Sequence, residues 1–269
     1  MKKKLLLLAI VGAVLLSASP VLADDSFYVI GEGGAPGTKI SSLPYEITTP
    51  GFYYVSGNLS CPSGNGITVS TDDVTIDLMG FRLSGNGGGS GIIWYDHANI
   101  EIRNGTLRNW NSGIYGYSSF VAGSVSNRAI NVRCQNNSVG ISFGDNGIVR
   151  GCSIQGGTTG ISGASLVANN AVYNCSLYGI NTGSGTISGN TVTNSATGIR
   201  SNGGSVIGNT VYCSSGQTGI ALSTSTSNPI LMDQNTVNGG STRYSGGSTA
   251  TVWAGKSTDN PWGNNAGHQ

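Results

Sequence analysis

Eight Gly-Ile pairs recur along this chain, at Gly66-Ile67, Gly91-Ile92, Gly113-Ile114, Gly140-Ile141, Gly160-Ile161, Gly179-Ile180, Gly198-Ile199 and Gly219-Ile220. Their steps are 25, 22, 27, 20, 19, 19 and 21 residues. Two further marks fall between them. One is an apolar residue two after an Asn or its substitute, as in Ile130/Val132, Cys152/Ile154, Asn170/Val172, Asn190/Val192, Asn209/Val211 and Asn235/Val237; the other is a short apolar pair or singlet, as in Ile148-Val149, Leu166-Val167, Ile187 and Val206-Ile207. A repeat of this length holds one supersecondary unit that cannot bury its apolar side alone, so it must stack on its neighbours. The unit here is three short extended segments separated by Gly, Asn or Ser.

Stacked coil on coil, the inward residue of each strand lies over its equivalent in the coil before, while alternate residues face solvent. Asn suits the turns, because it tolerates the left-handed region and its amide can bond its equivalent one coil away. At ~4.8 Å per coil, about eight coils make a rod ~40 Å long. The predicted class is therefore an all-β solenoid, about eight coils of three strands each. The pattern resembles the right-handed parallel β-helix repeat proteins of the pectate-lyase-like superfamily, over residues ~45 to 240. The stretches "PYEITTPGFYYVSGNLS", "GITVSTDDVTIDLMGFRLSG" and "ANIEIRNGTLRNW" are similar to the entry segments of such proteins. The resemblance implies a fold, since lyases, hydrolases, epimerases, adhesins and phage spikes share this stack.

The first residues place the chain in an exported compartment. A Lys2-Lys3-Lys4 head, an apolar run from Leu5 to Leu16 and a small-residue exit ending Val21-Leu22-Ala23 form a secretory signal, expected to be cut after Ala23. Twelve apolar residues fall short of the ~20 needed to span a bilayer. The expected organisation is a signal peptide at 1–23, an N-terminal cap at 24–60, β-helix repeats at 61–240, and a C-terminal cap or tail at 241–269. The protein is expected to be secreted or periplasmic.

Only 9% of residues are charged, and 44 are glycine, which few helical proteins match. After signal removal ten Lys and Arg face twelve Asp and Glu, with no basic block. That argues against a nucleic-acid partner, whose phosphates need clustered cations. The five cysteines, Cys61, Cys134, Cys152, Cys175 and Cys213, are an odd number with no CxxC and no obvious stacked pair. They are expected to pack as small apolar side chains.

If the repeat is scaffold, function lies on outward columns and protruding turns. Aligning Val74/Ile76, Ile100/Ile102 and Ile130/Val132 as inner pairs sets Asp77, Arg103 and Arg133 in one outward column, with Glu101 beside it. Further on the column reads Gln155, Tyr173, Thr193, Tyr212 and Asn238, all uncharged. A carboxylate next to two guanidinium groups is equipment that a polysaccharide lyase could use: one group holds the uronate, directly or through calcium, and Arg stabilises or removes the proton at C5. It could equally be an ion-pair ladder. Trp94, Tyr95, Trp110, Tyr115 and Tyr117 fall within 24 residues, and rings beside polar groups suit a sugar's apolar face. Catalytic candidates are thus Asp77, Arg103 and Arg133; substrate-binding candidates are Tyr95, Asp96, Glu101, Trp110, Tyr115 and Tyr117. No metal site or cofactor is expected, with Ca2+ admitted if the chain is a lyase. The expected partner is a polysaccharide or cell-surface glycan, bound by a non-catalytic surface protein; a pectate-lyase-like lyase or glycoside hydrolase and a purely structural role are the alternatives.

Overall fold

The computed structural model describes residues 37–117, 126–144, 147–222, 230–246 and the strand Thr251–Trp253. The expected signal at 1–23 lies outside them. Strands join coil to coil in parallel, giving one sheet of ten strands and one of 18; there is no helix among the described residues. The molecule is the all-β parallel β-helix that the repeat predicts.

The ten-stranded sheet is the Gly-Ile face. Ile67, Ile92, Ile114, Ile141, Ile161, Ile180, Ile199 and Ile220 stand in one unbroken column, all buried. Tyr45 and Tyr244 extend the column by one rung at each end. The repeat pattern makes these glycines separators between strands, but none of the eight has a left-handed φ. They are strand residues whose Cβ position is taken. A Cβ on Gly198 would lie 2.4 Å from Val211 Cγ1 and 2.7 Å from Gly219 O, and one on Gly179 would lie 2.4 Å from Val192 Cγ1 and 2.6 Å from Gly198 O. Glycine is therefore demanded by close approach of the next carbonyl and the opposite wall.

The 18-stranded sheet is bent lengthwise into two arms. Its longest strands, Ile100–Arg108 and Asn127–Gln135, run through both arms and turn at Asn104 and Asn131, whose φ values are 58° and 54°. Gly151, Asn169, Gly189, Gly208 and Gln234 repeat that left-handed turn in the following coils, where Asn and Gly are the tolerated residues. The first arm stacks Ile76, Ile102, Ala129, Val149, Val167, Ile187, Val206 and Met232 inward. The second stacks Leu83, Leu107, Cys134, Ile154, Val172, Val192, Val211 and Val237.

The turn residue and the amide ladder prove to be adjacent residues rather than the same one. Immediately after the left-handed position, Asn170, Asn190, Asn209 and Asn235 point inward and are buried. The Nδ2 of Asn170, Asn190 and Asn209 each donates to the next Oδ1 at 2.9 Å, Asn235 Nδ2 donates to Val206 O, and all four Oδ1 atoms also accept the previous coil's backbone N–H. The polar groups of the bend are satisfied inside the core, as burial requires.

Residues placed in a cap by the sequence form two rungs in register with the coils that follow: Thr38–Ile40 and Tyr45–Ile47 belong to the first, Gly51–Val55 and Leu59–Ser60 to the second. Beyond 240, Thr242–Gly246 and Thr251–Trp253 add a last partial rung. All five cysteines are free. Burial pushes the Cys152 and Cys175 thiols up to about 11 and that of Cys134 well above its ordinary value, consistent with inert packing groups.

Candidate functional site

The charged column begins as expected. Asp77 stands opposite Arg103, and Asp77 Oδ2 accepts from Arg103 Nε at 2.8 Å and Asn104 Nδ2 at 3.1 Å, while Oδ1 accepts the Met79 N–H at 2.8 Å. Arg103 Nη1 donates to Glu101 Oε1 at 2.9 Å, and Arg128 lies 3.2 Å from Glu101 Oε2. From there Arg128 reaches Asn99, whose amide donates to Asp73 at 2.7 Å. Five charged groups and two amides thus form one continuous chain across adjacent strands. Partial burial alone would loosen the Arg103 proton, but Asp77 and then Glu101 outweigh it and hold the guanidinium more firmly charged. A group stabilised in this way is poorly suited to take a proton.

Arg133 is not in this column. It sits in the second arm opposite Thr106, which is itself opposite Arg82, and its Nε donates to Thr106 Oγ1 at 3.1 Å. The alignment that joined it to Asp77 assumed Ile130 and Val132 to be the inner pair. Three residues, not two, separate consecutive inner positions across a left-handed bend, so Ala129 stacks on Ile102 and Val132 on Gly105. Ile130 falls on the outside opposite Arg103. The uncharged run Gln155, Tyr173, Thr193, Tyr212 and Asn238 does form one column, but it continues upward to Gln135, Arg108 and Ser84 rather than to Asp77.

The aromatic candidates divide. Trp110 is 1% exposed, and its indole N–H donates to Leu83 O at 3.2 Å; with Trp94, also buried, it fills the interior of the wider early coils. Tyr95 and Tyr117 are partners in adjacent strands, 57% and 48% exposed. The Tyr115 ring lies 5.9 Å from that of Tyr95. The strand Ser90–Tyr95 leads into Asp96, which is exposed with a left-handed φ of 53°, and then His97. This is the corner between the Gly-Ile face and the first arm.

Sequence reading passed over His97. Its Nδ1 lies 3.0 Å from Asp72 Oδ1, which also accepts the Ala98 N–H at 2.9 Å; that backbone bond, against slight desolvation and aided by His97, lowers the Asp72 carboxyl below its ordinary range. Only the fold brings Asp72 to His97, one coil away. The corner thus offers exposed rings on one side and Asp72, His97, Asp73 and Asn99 on the other. Among the described residues no group of three or more His, Cys, Asp or Glu is gathered where a metal ion could sit, and no helix is long and apolar enough to cross a membrane.

No family model matches the chain, and no protein of curated function matches it. Two solved structures are similar. The Dettilon tailspike protein (gp208) matches with 16% identity and a TM-score of 0.48, over 75% of this chain and 54% of that one; this chain spans about half of the tailspike's length. The A-module of the mannuronan C-5 epimerase AlgE4 of Azotobacter vinelandii matches with 10% identity and a TM-score of 0.32, over 76% of this chain and 83% of that module. Both likenesses concern the course of the backbone, and the functional reading rests on the residues.

Proposed function

We propose that this chain is an exported polysaccharide-binding β-helix protein whose glycan-contacting surface is the Tyr95–Tyr115–Tyr117 corner. The observation that carries the reading is the pair of exposed, neighbouring tyrosines next to a polar turn bearing His97 and Asn99, with Asp72 reaching His97 from the adjacent coil. A pyranose ring stacks its C–H face on such rings and directs its hydroxyls to carboxylate, imidazole and amide groups. Binding is favoured over cleavage because the carboxylate proposed for catalysis, Asp77, already accepts three hydrogen bonds and Arg133 lies on another face.

The test is affinity electrophoresis or a glycan array with the purified chain and the Tyr95→Ala, Tyr117→Ala double variant, alongside absorbance at the wavelength of the unsaturated product on uronate polymers with and without calcium. Glycan binding lost in the double variant, with no absorbance change, is the expected result. Turnover abolished by Asp77→Asn would sink the binding reading in favour of a lyase. Binding unchanged by the tyrosine substitutions would displace the site from this corner.

A further inference from the structure

The second arm of the large sheet carries three arginines that the ion-pair chain does not use. Arg82 and Arg133 occupy one outward column on either side of Thr106, two coils apart, while Arg108 stands on the intervening coil two residues further along the strand. At ~4.8 Å per coil, Arg82 and Arg133 are ~10 Å apart along the rod with Arg108 between and to one side. No carboxylate lies within ion-pair distance of any of them among the described residues; every Arg–carboxylate pair there belongs to Arg103 or Arg128.

Their heads are nonetheless held. Arg82 Nε and Arg108 Nε both donate to Ser84 Oγ at 3.2 Å, and Arg133 Nε donates to Thr106 Oγ1 at 3.1 Å. The Nη groups make no hydrogen bond to any described residue. Three like charges gathered without a counter-charge repel one another and are normally separated or paired. In a chain with so few charges this is the one cationic cluster on the described surface, and its Nη edges present the planar fork that matches an oxyanion.

We infer that Arg82, Arg108 and Arg133 form a second binding surface, distinct from the tyrosine corner, for the carboxylate or sulfate groups of an acidic polysaccharide lying along the rod. The direction of the ligand follows from the column beneath Arg108, which continues with Gln135 and Gln155 and then the exposed Tyr173 and Tyr212. Amide donors on two consecutive rungs, followed by sugar-sized rings on alternate rungs with Thr193 between them, suit a glycan chain. This inference rests on the polysaccharide-binding reading, and it names the ligand's charge and the face that reads it.

The experiment uses the purified chain and an R82Q/R108Q/R133Q variant in affinity electrophoresis against polygalacturonate, dextran sulfate and neutral dextran, with titrations of a single-stranded oligonucleotide, each at low and high salt. The expected result is tighter binding to the acidic polymers than to dextran. The triple substitution weakens acidic-polymer binding about tenfold or more and flattens its salt dependence, with dextran binding and the thermal midpoint unmoved. A preference for polygalacturonate assigns carboxylate and one for dextran sulfate assigns sulfate; either supports the site. Acidic polymers bound equally well by the triple variant overturn it, as does tighter binding of the oligonucleotide than of either acidic glycan. If the triple variant is silent while Tyr95→Ala, Tyr117→Ala loses all binding, this inference falls and the tyrosine corner stands. If the unsubstituted chain binds no glycan, both fall.

Discussion

Asn190 is the member of the internal ladder whose replacement is most diagnostic. It is 1% exposed. Its Oδ1 accepts from Asn170 N and Asn170 Nδ2, both at 2.9 Å, and its Nδ2 donates to Val167 O and Asn209 Oδ1, both at 2.9 Å. In N190A the Asn170 N–H and Val167 O lose these partners, whereas Asn170 Nδ2 keeps Val149 O and Asn209 Oδ1 keeps the N–H of residue 190. Two buried groups left unpaired at ~1–3 kcal/mol each, with a small cavity, give a loss of about 3–5 kcal/mol.

N190D keeps the shape and changes only the donor. The new oxygen would face Val167 O and Asn209 Oδ1, two acceptors, so the introduced carboxyl is favoured in its protonated form in the folded chain. A folded-state pKa raised above the unfolded value gives stability that is fully present below the unfolded pKa and is lost as pH rises through the folded one. A carboxyl held protonated to about pH 7 instead of about pH 4 costs about 4 kcal/mol when forced to ionise. Urea unfolding followed by far-ultraviolet circular dichroism, each variant compared with the unsubstituted chain at the same pH, is the assay. N190D is expected to lie close to the unsubstituted chain in acid and to fall to or below N190A above neutral pH. Identical, pH-independent losses for N190A and N190D would refute the ladder as the source of the stability.

Three other outcomes follow from the geometry. Gly198→Ala, whose new methyl would meet Val211 Cγ1 at 2.4 Å, should cost about 1–3 kcal/mol by overpacking; Gly208→Ala has open space but a φ of +64° and should cost about 1–2 kcal/mol from the left-handed backbone alone, both read as shifts in the urea midpoint. Asp72, held below its ordinary range by the Ala98 N–H, adds stability above the ordinary aspartate pKa that is lost as pH falls through the lowered one; D72N should therefore be slightly less stable than the unsubstituted chain at neutral pH, with the difference closing in acid and the acid limb of its stability curve flatter. With no disulfide and with burial raising Cys134, Cys152, Cys175 and Cys213, reductant should not move the melting temperature. Thiol labelling near neutral pH should be slow in the native chain and reach all five cysteines in urea.

The Gly-Ile rungs were legible because one short pair recurs at one place in every coil, and the structure keeps all eight in a single column. The pairing of Asp77 with Arg103 was legible because the flanking Val74/Ile76 and Ile100/Ile102 alternate without interruption. The error began at Asn131. A strand residue in left-handed conformation adds a step to the inside–outside alternation, and nothing in "AINVRC" distinguishes the small inward Ala129 from the large outward Ile130. Everything read through that point inherited the slip: Arg133 joined the wrong arm, and the arginine cluster with Arg82 and Arg108 stayed invisible. Trp110 was misplaced for a different reason, since an aromatic at a protruding turn looks the same in sequence whether it covers the surface or fills the space left by Gly66 and Gly85, whose missing Cβ atoms its ring approaches.

The bend that hid the site also makes it possible. A continuous flat strand of nine residues would present its alternate side chains to one plane, and the carboxylates of Asp77 and Glu101 would sit in the same field as Arg108 and Arg133. The left-handed residue at 104 and 131 turns the second half of each strand onto another face. Acids and bases that neutralise one another stay on the first arm; arginines with only hydroxyl partners gather on the second. Because the same turn places Asn170, Asn190 and Asn209 inside, the hydrogen bonds that fix the bend angle are buried and rigid while the faces they separate are free to vary. A glycan laid along the second arm would therefore meet cations held out of ion-pair reach of the protein's own carboxylates, which leaves their Nη groups to face outward rather than be spent on internal pairs.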